Sequence, residues 1–172
     1  MRFVRALPVV AVLALVLAAT VSTGVVHVDW REQAKLHGSP VIAFHVQTLA
    51  SKASGKLTGW GVVASVTNKT SKPLRITTSQ FGLALFKDGK TIDPRRATLL
   101  PAAVFSPPVP KVLGPGKTWK GTFAGVGAPP DGSYVRVLFG WFSGPAVGGS
   151  GFNWLSDHVQ QWCSGKCSTY GA

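Results

Sequence analysis

Short apolar runs alternate with turn residues about every ten positions between residues 40 and 142, a spacing typical of an all-β sandwich or barrel. The clearest strand is predicted over 57–68, where apolar residues at every second position should share one buried face: Trp60, Val62, Ala64 and Val66. Further strands are predicted over 41–49, 74–86, 117–126 and 133–142. We therefore predict an immunoglobulin-like antiparallel β-sandwich of about seven strands over residues 40–142.

Turn residues mark where these strands end. The segment NKTSKP, residues 68–73, predicts a turn, and the run 74–86 is either one long strand or two strands joined near Ser79. Asp88-Gly89 predicts a two-residue hairpin turn, because glycine accepts the positive φ of a type I′ turn.

Two features shape the second half of the predicted sandwich. Five prolines between residues 101 and 115 exclude a central strand and predict a segment that crosses the edge of the sandwich. In the last strand, alternation predicts one core-facing set: Val135, Val137, Phe139 and Trp141.

The N-terminus is basic and then apolar. Arg2 and Arg5 precede an almost uninterrupted apolar run that begins at Ala6. Residues 1–28 are predicted to be either a cleaved signal peptide or an uncleaved helical anchor, which needs roughly 20 apolar residues. Both alternatives keep the N-terminus in the cytoplasm and make the rest of the chain extracytoplasmic, membrane-anchored or secreted. Residues 29–39 are predicted to be a polar connector.

The charge balance is strongly basic, with 18 Lys and Arg against 6 Asp and Glu. A basic exported domain suits anionic lipid headgroups, acidic cell-wall polymers, nucleic acid or an acidic protein. The basic residues occur singly or in pairs, which favours a solvated face over a dedicated groove. Because no segment resembles a nucleic-acid reader module, no specific nucleic-acid partner is expected.

The C-terminal residues 143–172 are predicted to form a tail. It begins with SGPAVGGSG, which has the composition of a flexible linker. Residues 153–162 then predict about two turns of helix, with Asn153 or Ser156 as the N-cap.

The only two cysteines, Cys163 and Cys167, end this tail. In an exported chain the simplest interpretation is a disulfide that closes a small loop. Two alternatives are a redox or copper-handling site formed by Cys163, Cys167 and His158, and intermolecular pairing. Zinc is not expected, because two thiolates and one histidine leave its tetrahedral shell incomplete.

The tail is also rich in large aromatic residues, and these have two interpretations. They either form a partner-binding surface, since large aromatics are preferred interface anchors, or fold back and close the open end of the sandwich. The candidate partner-binding residues are Phe152, Trp154, Trp162 and Tyr170.

Few residues are available for catalysis. Three of the six acids lie in predicted turns, two lie beside the apolar N-terminal segment, and only Asp157 adjoins a histidine, His158. The four histidines are widely spaced and match no metal or nucleophile motif. We therefore predict that the chain is not an enzyme and holds no cofactor.

Several segments together resemble a known family: VVASVTNKTSKPLRI, FGLALFKDGKTI, LGPGKTWKGTFAGV and YVRVLF. Their order is similar to that of the telokin-like immunoglobulin-fold domain of unknown function of bacterial exported proteins, related to the immunoprotective extracellular protein superfamily. Asn68, Asp88-Gly89, Gly114-Pro115-Gly116 and Phe123 lie at the matching positions, and the resemblance covers roughly residues 40–142. It implies an interaction or structural module without a catalytic residue set.

The sequence thus predicts a non-enzymatic extracytoplasmic interaction or structural module, or an accessory subunit of a membrane or cell-surface assembly. Its expected partner is a protein or cell-envelope component, with the membrane contacted through the N-terminal helix. Two alternatives remain: the thiol or copper-handling protein described above, and an exported proteinase inhibitor that presents the segment SPPVPK, residues 106–111.

Overall fold

The computed structural model describes residues 22–54 and 57–162, which form two antiparallel β-sheets packed as a sandwich. The described residues contain no α-helix, and three short 3-10 turns lie between strands. The strands are β1 (Ser22–Leu36), β2 (Ser39–Ser54), β3 (Leu57–Asn68), β4 (Leu74–Ile76), β5 (Gly82–Phe86), β6 (Thr98–Pro101), β7 (Val104–Ser106), β8 (Val112–Leu113), β9 (Thr118–Val126), β10 (Tyr134–Ser143), β11 (Phe152–Leu155) and β12 (Gln160–Gln161).

The first sheet has five strands in the order β1-β2-β3-β9-β7. Its inner face follows from period-two alternation, and the predicted buried set on β3 is confirmed: Trp60, Val62, Ala64 and Val66 are at most 3% exposed. The opposite face of β3 carries glycine, serine, threonine and valine, and it faces solvent.

The second sheet has the order β6-β5-β10-β4-β8, with β11 and β12 also paired to β10. The run 74–86 divides into β4 and β5 around a 3-10 turn at Thr78–Gln80, so the two-strand alternative is the correct one. The proline-rich segment crosses from β7, at an edge of the first sheet, to β8, at an edge of the second, as predicted.

Aromatic residues from both sheets fill the centre of the core. The ring of Phe81 packs edge-on against Phe123 and Phe139, with ring centroids 5.4 and 5.8 Å apart. Phe44 stacks on Phe139 at 4.8 Å and joins the five-stranded sheet to the seven-stranded one. Edge-to-face and offset pairs of this kind contribute beyond the apolar area that they bury.

Asn68 joins two turns that connect the sheets, and it is fully buried. Its amide nitrogen donates to the carbonyl oxygens of Lys72 and Leu113 at 2.8 and 2.9 Å, and its Oδ1 accepts from the backbone N–H and hydroxyl of Thr70. The turn predicted at 68–73 is therefore confirmed, and one satisfied polar side chain organises it.

The N-terminal part of the described chain differs from the prediction. Residues 22–36 form β1, which pairs with β2 along its length, so 29–36 are strand and not the predicted connector. The two strands join at His37-Gly38, where both φ angles are positive (49° and 81°), as a two-residue type I′ turn requires. Residues 1–21 lie outside the described chain, and with them most of the predicted apolar helix, but the end of that prediction, residues 22–28, is strand and not helix.

The hairpin predicted at Asp88-Gly89 is wrong. Asp88 Oδ1 accepts the backbone N–H groups of Lys90 and Thr91 at 2.8 and 2.7 Å, which closes an irregular turn, and no return strand follows directly. The side chain of Asp88 thus competes successfully with strand pairing. The partner of β5 is instead β6, reached through a 3-10 turn at Pro94–Arg96 that Asp93 caps.

The predicted core face of the last strand is correct only as far as Phe139. The pairing of β10 with β11 shifts register between Phe139 and Phe142, which reverses the alternation. As a result Phe142 is fully buried, whereas Trp141, predicted to face the core, is 37% exposed.

The predicted linker and helix after β10 are replaced by a packed turn and two strands. Val147 in the 3-10 turn Pro145–Val147 is buried, and residues 152–155 and 160–161 pair with β10. Gly151 has φ +70°, and a Cβ there would lie 2.4 Å from the carbonyl oxygen of Phe142, so glycine is required. Pairing with β10 overrides the local helical propensity of residues 153–162.

Candidate functional site

The outer face of the five-stranded sheet carries two rows of side chains, all polar except Ala43, that run across four neighbouring strands. The strand register places one row as Arg31, His45, Ser65 and Lys120 and the next as Gln33, Ala43, Thr67 and Thr118. Apart from His45, the middle members of the two rows are short, and Ala43, Ser65 and Thr67 form the floor of a shallow depression, with Lys69 at its end. We call these residues the outer-face site.

One carboxylate orients two members of the outer-face site. Asp29 accepts from Nε of Arg31 at 3.0 Å, and its Oδ1 lies 2.6 Å from Nε2 of His45. The hydrogen bonds from Arg31 and then His45 lower the pKa of Asp29. Asp29 is largely exposed, so this contact fixes geometry more than it adds stability.

A second carboxylate lies on the other face of β1, where it joins the two sheets. Glu32 has a side chain only 6% exposed, and it accepts from Nε1 of Trp154 and from the backbone N–H groups of Asp157 and His158 at 2.9–3.1 Å. Its Oε1 is 2.5 Å from Nδ1 of His158.

The ionised form of Glu32 is therefore well solvated by the protein. Burial by itself would raise the pKa of Glu32, but the hydrogen bonds from His158, Asp157 and Trp154 outweigh it and lower the pKa from its ordinary value of 4.5. The imidazole of His158 also stacks on Trp30, with ring centroids 5.5 Å apart. Glu32 is thus a structural clamp between β1 and the C-terminal strands.

Arg136 is a buried cation whose contacts are with backbone carbonyl oxygens and an aromatic ring, so its role is structural. Its guanidinium donates to the carbonyl oxygens of Ser156 and Asp157, reaches that of Gly89 at 3.4 Å and lies over the ring of Phe86. These contacts hold the segment after β11 against β10. Within the described chain Arg136 contacts no carboxylate.

The predicted partner-binding aromatics do not form an exposed cluster. Trp162 is 4% exposed and belongs to the core, and Trp154 stacks on Phe44 at 5.6 Å. Phe152 is half-buried against Phe142. Tyr170 lies outside the described residues. This arrangement favours the interpretation in which the tail closes the sandwich.

The cysteines lie outside the described residues, as therefore does the predicted disulfide. His158, their proposed companion, has Nδ1 hydrogen-bonded to Glu32. In the described part of the chain no group of three or more His, Cys, Asp and Glu side chains is arranged to hold a metal ion.

The proline-rich segment proposed for protease inhibition packs along the sandwich. The carbonyl oxygen of Pro107 accepts from Nε1 of Trp119 at 3.2 Å, Val109 packs on the core, and the carbonyl oxygen of Lys111 accepts from the backbone of Ile76. The segment is thus held at three points along its length.

Sequence reasoning missed the outer-face site. From the sequence, Asp29 and Glu32 are the two acids expected beside the apolar N-terminal segment, and His45 is one of the four widely spaced histidines. The signal that identifies β1 is an apolar alternation that continues past the N-terminal run: Val26, Val28, Trp30, Ala34 and Leu36.

Comparison of the chain with protein-family models, with curated proteins and with solved structures finds no match. Over the ranges 22–54 and 57–162, no helix has the length and apolar character needed to cross a membrane.

Proposed function

We propose that this chain is a non-enzymatic, extracytoplasmic interaction module with an immunoglobulin-like strand arrangement, which binds a cell-envelope component through its outer-face site. The observation that carries the proposal is the alignment of two rows of mostly polar side chains across four neighbouring strands, on an open face. Flat sheet faces with short polar side chains at their centre leave room for a ligand to lie against the backbone.

The use of the acidic residues supports a role without catalysis. Of the six acids in the chain, Glu32 clamps the C-terminal strands, Asp88 and Asp93 close turns, and Asp29 orients Arg31 and His45. These carboxylates have lowered pKa values, the opposite of the shift that a general acid requires at neutral pH.

The turn residues support a relationship to the telokin-like family. Asn68 and the Gly114-Pro115-Gly116 turn contact each other: the N–H of Asn68 donates to the carbonyl oxygen of Lys117, and the N–H of Gly116 donates to that of Asn68. Two of the four matching positions thus meet where β3 ends and β9 begins, whereas Asp88-Gly89 forms no hairpin.

Export is proposed from the sequence. The apolar run before β1, Ala6 to Val21, has sixteen residues, short of the roughly 20 that span a bilayer, which favours a cleaved signal over an anchor. The intact mass of the protein from its native cells tests this, with a mature N-terminus expected near Ser22. The same spectrum, before and after reduction, tests the proposed bridge between Cys163 and Cys167.

Binding through the outer-face site is tested by blocking its floor. We expect Ser65→Tyr to abolish sedimentation of the protein with isolated envelope fragments of the producing cells. Thr98→Tyr, on the exposed edge strand β6, is the matched control and should sediment like the wild type. Equal sedimentation of both variants, or none by the wild type, would contradict the proposal.

A further inference from the structure

The outer face of the five-stranded sheet carries positive charge that the described residues leave uncompensated. Four lysines on or bordering this face are exposed and make no ion pair within the described chain: Lys35, Lys69, Lys117 and Lys120. Of the two described acids at this site, Asp29 is engaged by Arg31 and His45, and Glu32 is buried and bonded to the C-terminal strands. A face on which unpaired lysines outnumber the available carboxylates attracts anions.

Arg31 retains donors for a ligand despite its contact with Asp29. Only Nε of Arg31 bonds to the carboxylate, and its two terminal nitrogens have no hydrogen-bond partner among the described residues. Asp29 therefore holds the guanidinium across the face and leaves its outer edge open. The outer edge of a guanidinium can bind a phosphate or a carboxylate through two parallel hydrogen bonds.

The floor of the outer-face site indicates what the ligand lacks. Ala43, Ser65 and Thr67 present no aromatic ring. Of the two rings in the lining, His45 is held edge-on by Asp29 through Nε2 and Phe44 is buried, so the floor has no exposed Phe, Tyr or Trp on which nucleic-acid bases would stack. The lining also contains no exposed large apolar side chain that would insert among acyl chains. The hydroxyls of Thr67 and Thr118 are 2.8 Å apart and add polar groups to the same strip.

The spacing of the cations sets the size of the ligand. Arg31 on β1 and Lys120 on β9 lie in one row, three strand spacings apart, which corresponds to about 14 Å. A ligand that contacts both must be extended, because a single phosphate or carboxylate is much smaller than this distance.

Resting on the proposed function, we propose that the outer-face site binds a linear anionic polymer that carries phosphate or carboxylate groups but neither bases nor acyl chains. The polymer lies across the strands, with its anionic groups at Arg31 and Lys120 and its continuation toward Lys69. Ser65 and Thr67 contact it from below.

The test compares two charge-matched variants of the full chain. K69E/K120E removes cations from the outer-face site, and K87E/R96E makes the same charge change at exposed positions beside β5 and β6. Each is titrated with polyphosphate and with polygalacturonate, which separate phosphate from carboxylate recognition. The same titrations use oligo-dT and phosphatidylglycerol vesicles.

We expect the wild type to bind at least one of the two polymers, with an affinity that falls as NaCl rises from about 50 to about 500 mM. K69E/K120E should weaken that binding by about tenfold or more, and K87E/R96E by no more than about twofold. Equal weakening by both variants overturns the proposal, because the binding then follows net charge. Tighter binding of oligo-dT or vesicles with the same variant sensitivity also overturns it.

One outcome separates this inference from the proposed function. If envelope fragments retain the wild type and K69E/K120E alike at high salt but not Ser65→Tyr, the outer-face site binds an uncharged ligand. The proposed function then stands and the polymer proposal fails. If envelope fragments retain none of these proteins, both fail.

Discussion

Single polar side chains hold several junctions of this fold, and Asn68 is the clearest. All its side-chain hydrogen bonds go to neighbouring turns, and no solvent reaches it. Truncating such a residue leaves the carbonyl oxygens of Lys72 and Leu113 without these donors inside the protein, at a cost of about 1–3 kcal/mol for each unsatisfied group.

We therefore expect Asn68→Ala to lower the free energy of unfolding by roughly 2–4 kcal/mol, measured by urea denaturation monitored by tryptophan fluorescence. Lys69→Ala, the exposed neighbour, is the control and should change it by less than about 0.5 kcal/mol. A loss of the same size in both variants would show that the asparagine is not the residue that organises the turn.

Glu32 gives the fold a defined response to acid. Its folded-state pKa is lowered, so its contribution to stability is fully present above its ordinary value of 4.5 and is lost as the pH falls through the folded-state pKa. At neutral pH, Glu32→Gln should cost about 1–3 kcal/mol, because the amide accepts the hydrogen bonds of Trp154, Asp157 and His158 less well than the carboxylate.

The check is a set of urea titrations of wild type and Glu32→Gln between pH 7 and pH 3. The difference between the two free energies of unfolding should be constant down to about pH 4.5 and then shrink. Asn68→Ala carries no titrating change and provides the reference, since its deficit should not vary with pH. A Glu32→Gln deficit that stays constant to pH 3 would contradict the assigned shift.

At the scale of elements, the period-two alternation of apolar residues predicted interior strands, which have a partner strand on each side: β2, β3, β9 and β10. The predicted ranges 41–49 and 57–68 lie wholly in strands, and 117–126 and 133–142 do so from residues 118 and 134 onward, because their period-two pattern reflects one buried face. β1 was not predicted as a strand because Glu32 interrupts its apolar face. The groups that hydrogen-bond to the buried Glu32 lie 122 or more residues away along the chain, so its burial could not be foreseen from the local sequence. The same long separation hid the strands of the tail.

The end of β10, where the residues that face the core change from odd to even numbers, illustrates a second limit of predictions from alternation. A period-two pattern assigns Trp141 to the core, yet the register shift opposite β11 directs Phe142 inward. We expect Phe142→Ala to lower the free energy of unfolding by about 3–5 kcal/mol, as for other fully buried phenylalanines. Trp141→Ala should cost less than half as much, although tryptophan is larger. Thermal and urea unfolding measure both, and a larger cost at Trp141 would restore the simple alternation.

The candidate site could not be predicted from the sequence for a related reason. One row of the site is spread over 90 positions of the sequence: Arg31, His45, Ser65 and Lys120. These residues come into line only through the pairing of β1 with β2, of β2 with β3 and of β3 with β9. Composition did indicate a basic surface, but scattered lysines gave no sign that Lys69 and Lys120 border one depression. By contrast, the turn at 68–73 was predictable, because its determinant, Asn68, acts within four residues as well as across the sandwich.

At the scale of the whole molecule, the segment after β10 belongs to the sandwich and is not an appendage. It supplies the buried side chains of Val147 and Trp162, covers Arg136 through the carbonyl oxygens of residues 156 and 157, and donates to Glu32. Burial of each large apolar side chain contributes about 1.5–3 kcal/mol, so the segment accounts for a large part of the 5–15 kcal/mol typical of a domain.

We therefore expect a chain that ends at Ser143 to lose cooperative folding, because removal of residues 144–162 exposes the edge of β10 and leaves Glu32 and Arg136 without partners inside the protein. A chain that ends at Trp162 retains all these contacts and should melt cooperatively in far-UV circular dichroism. If the shorter chain instead melts as one sharp transition near the temperature of the longer one, the C-terminal strands are dispensable. A partner-binding role for Trp154 and Trp162 would then regain its basis, since side chains that the fold does not need are free to serve an interface.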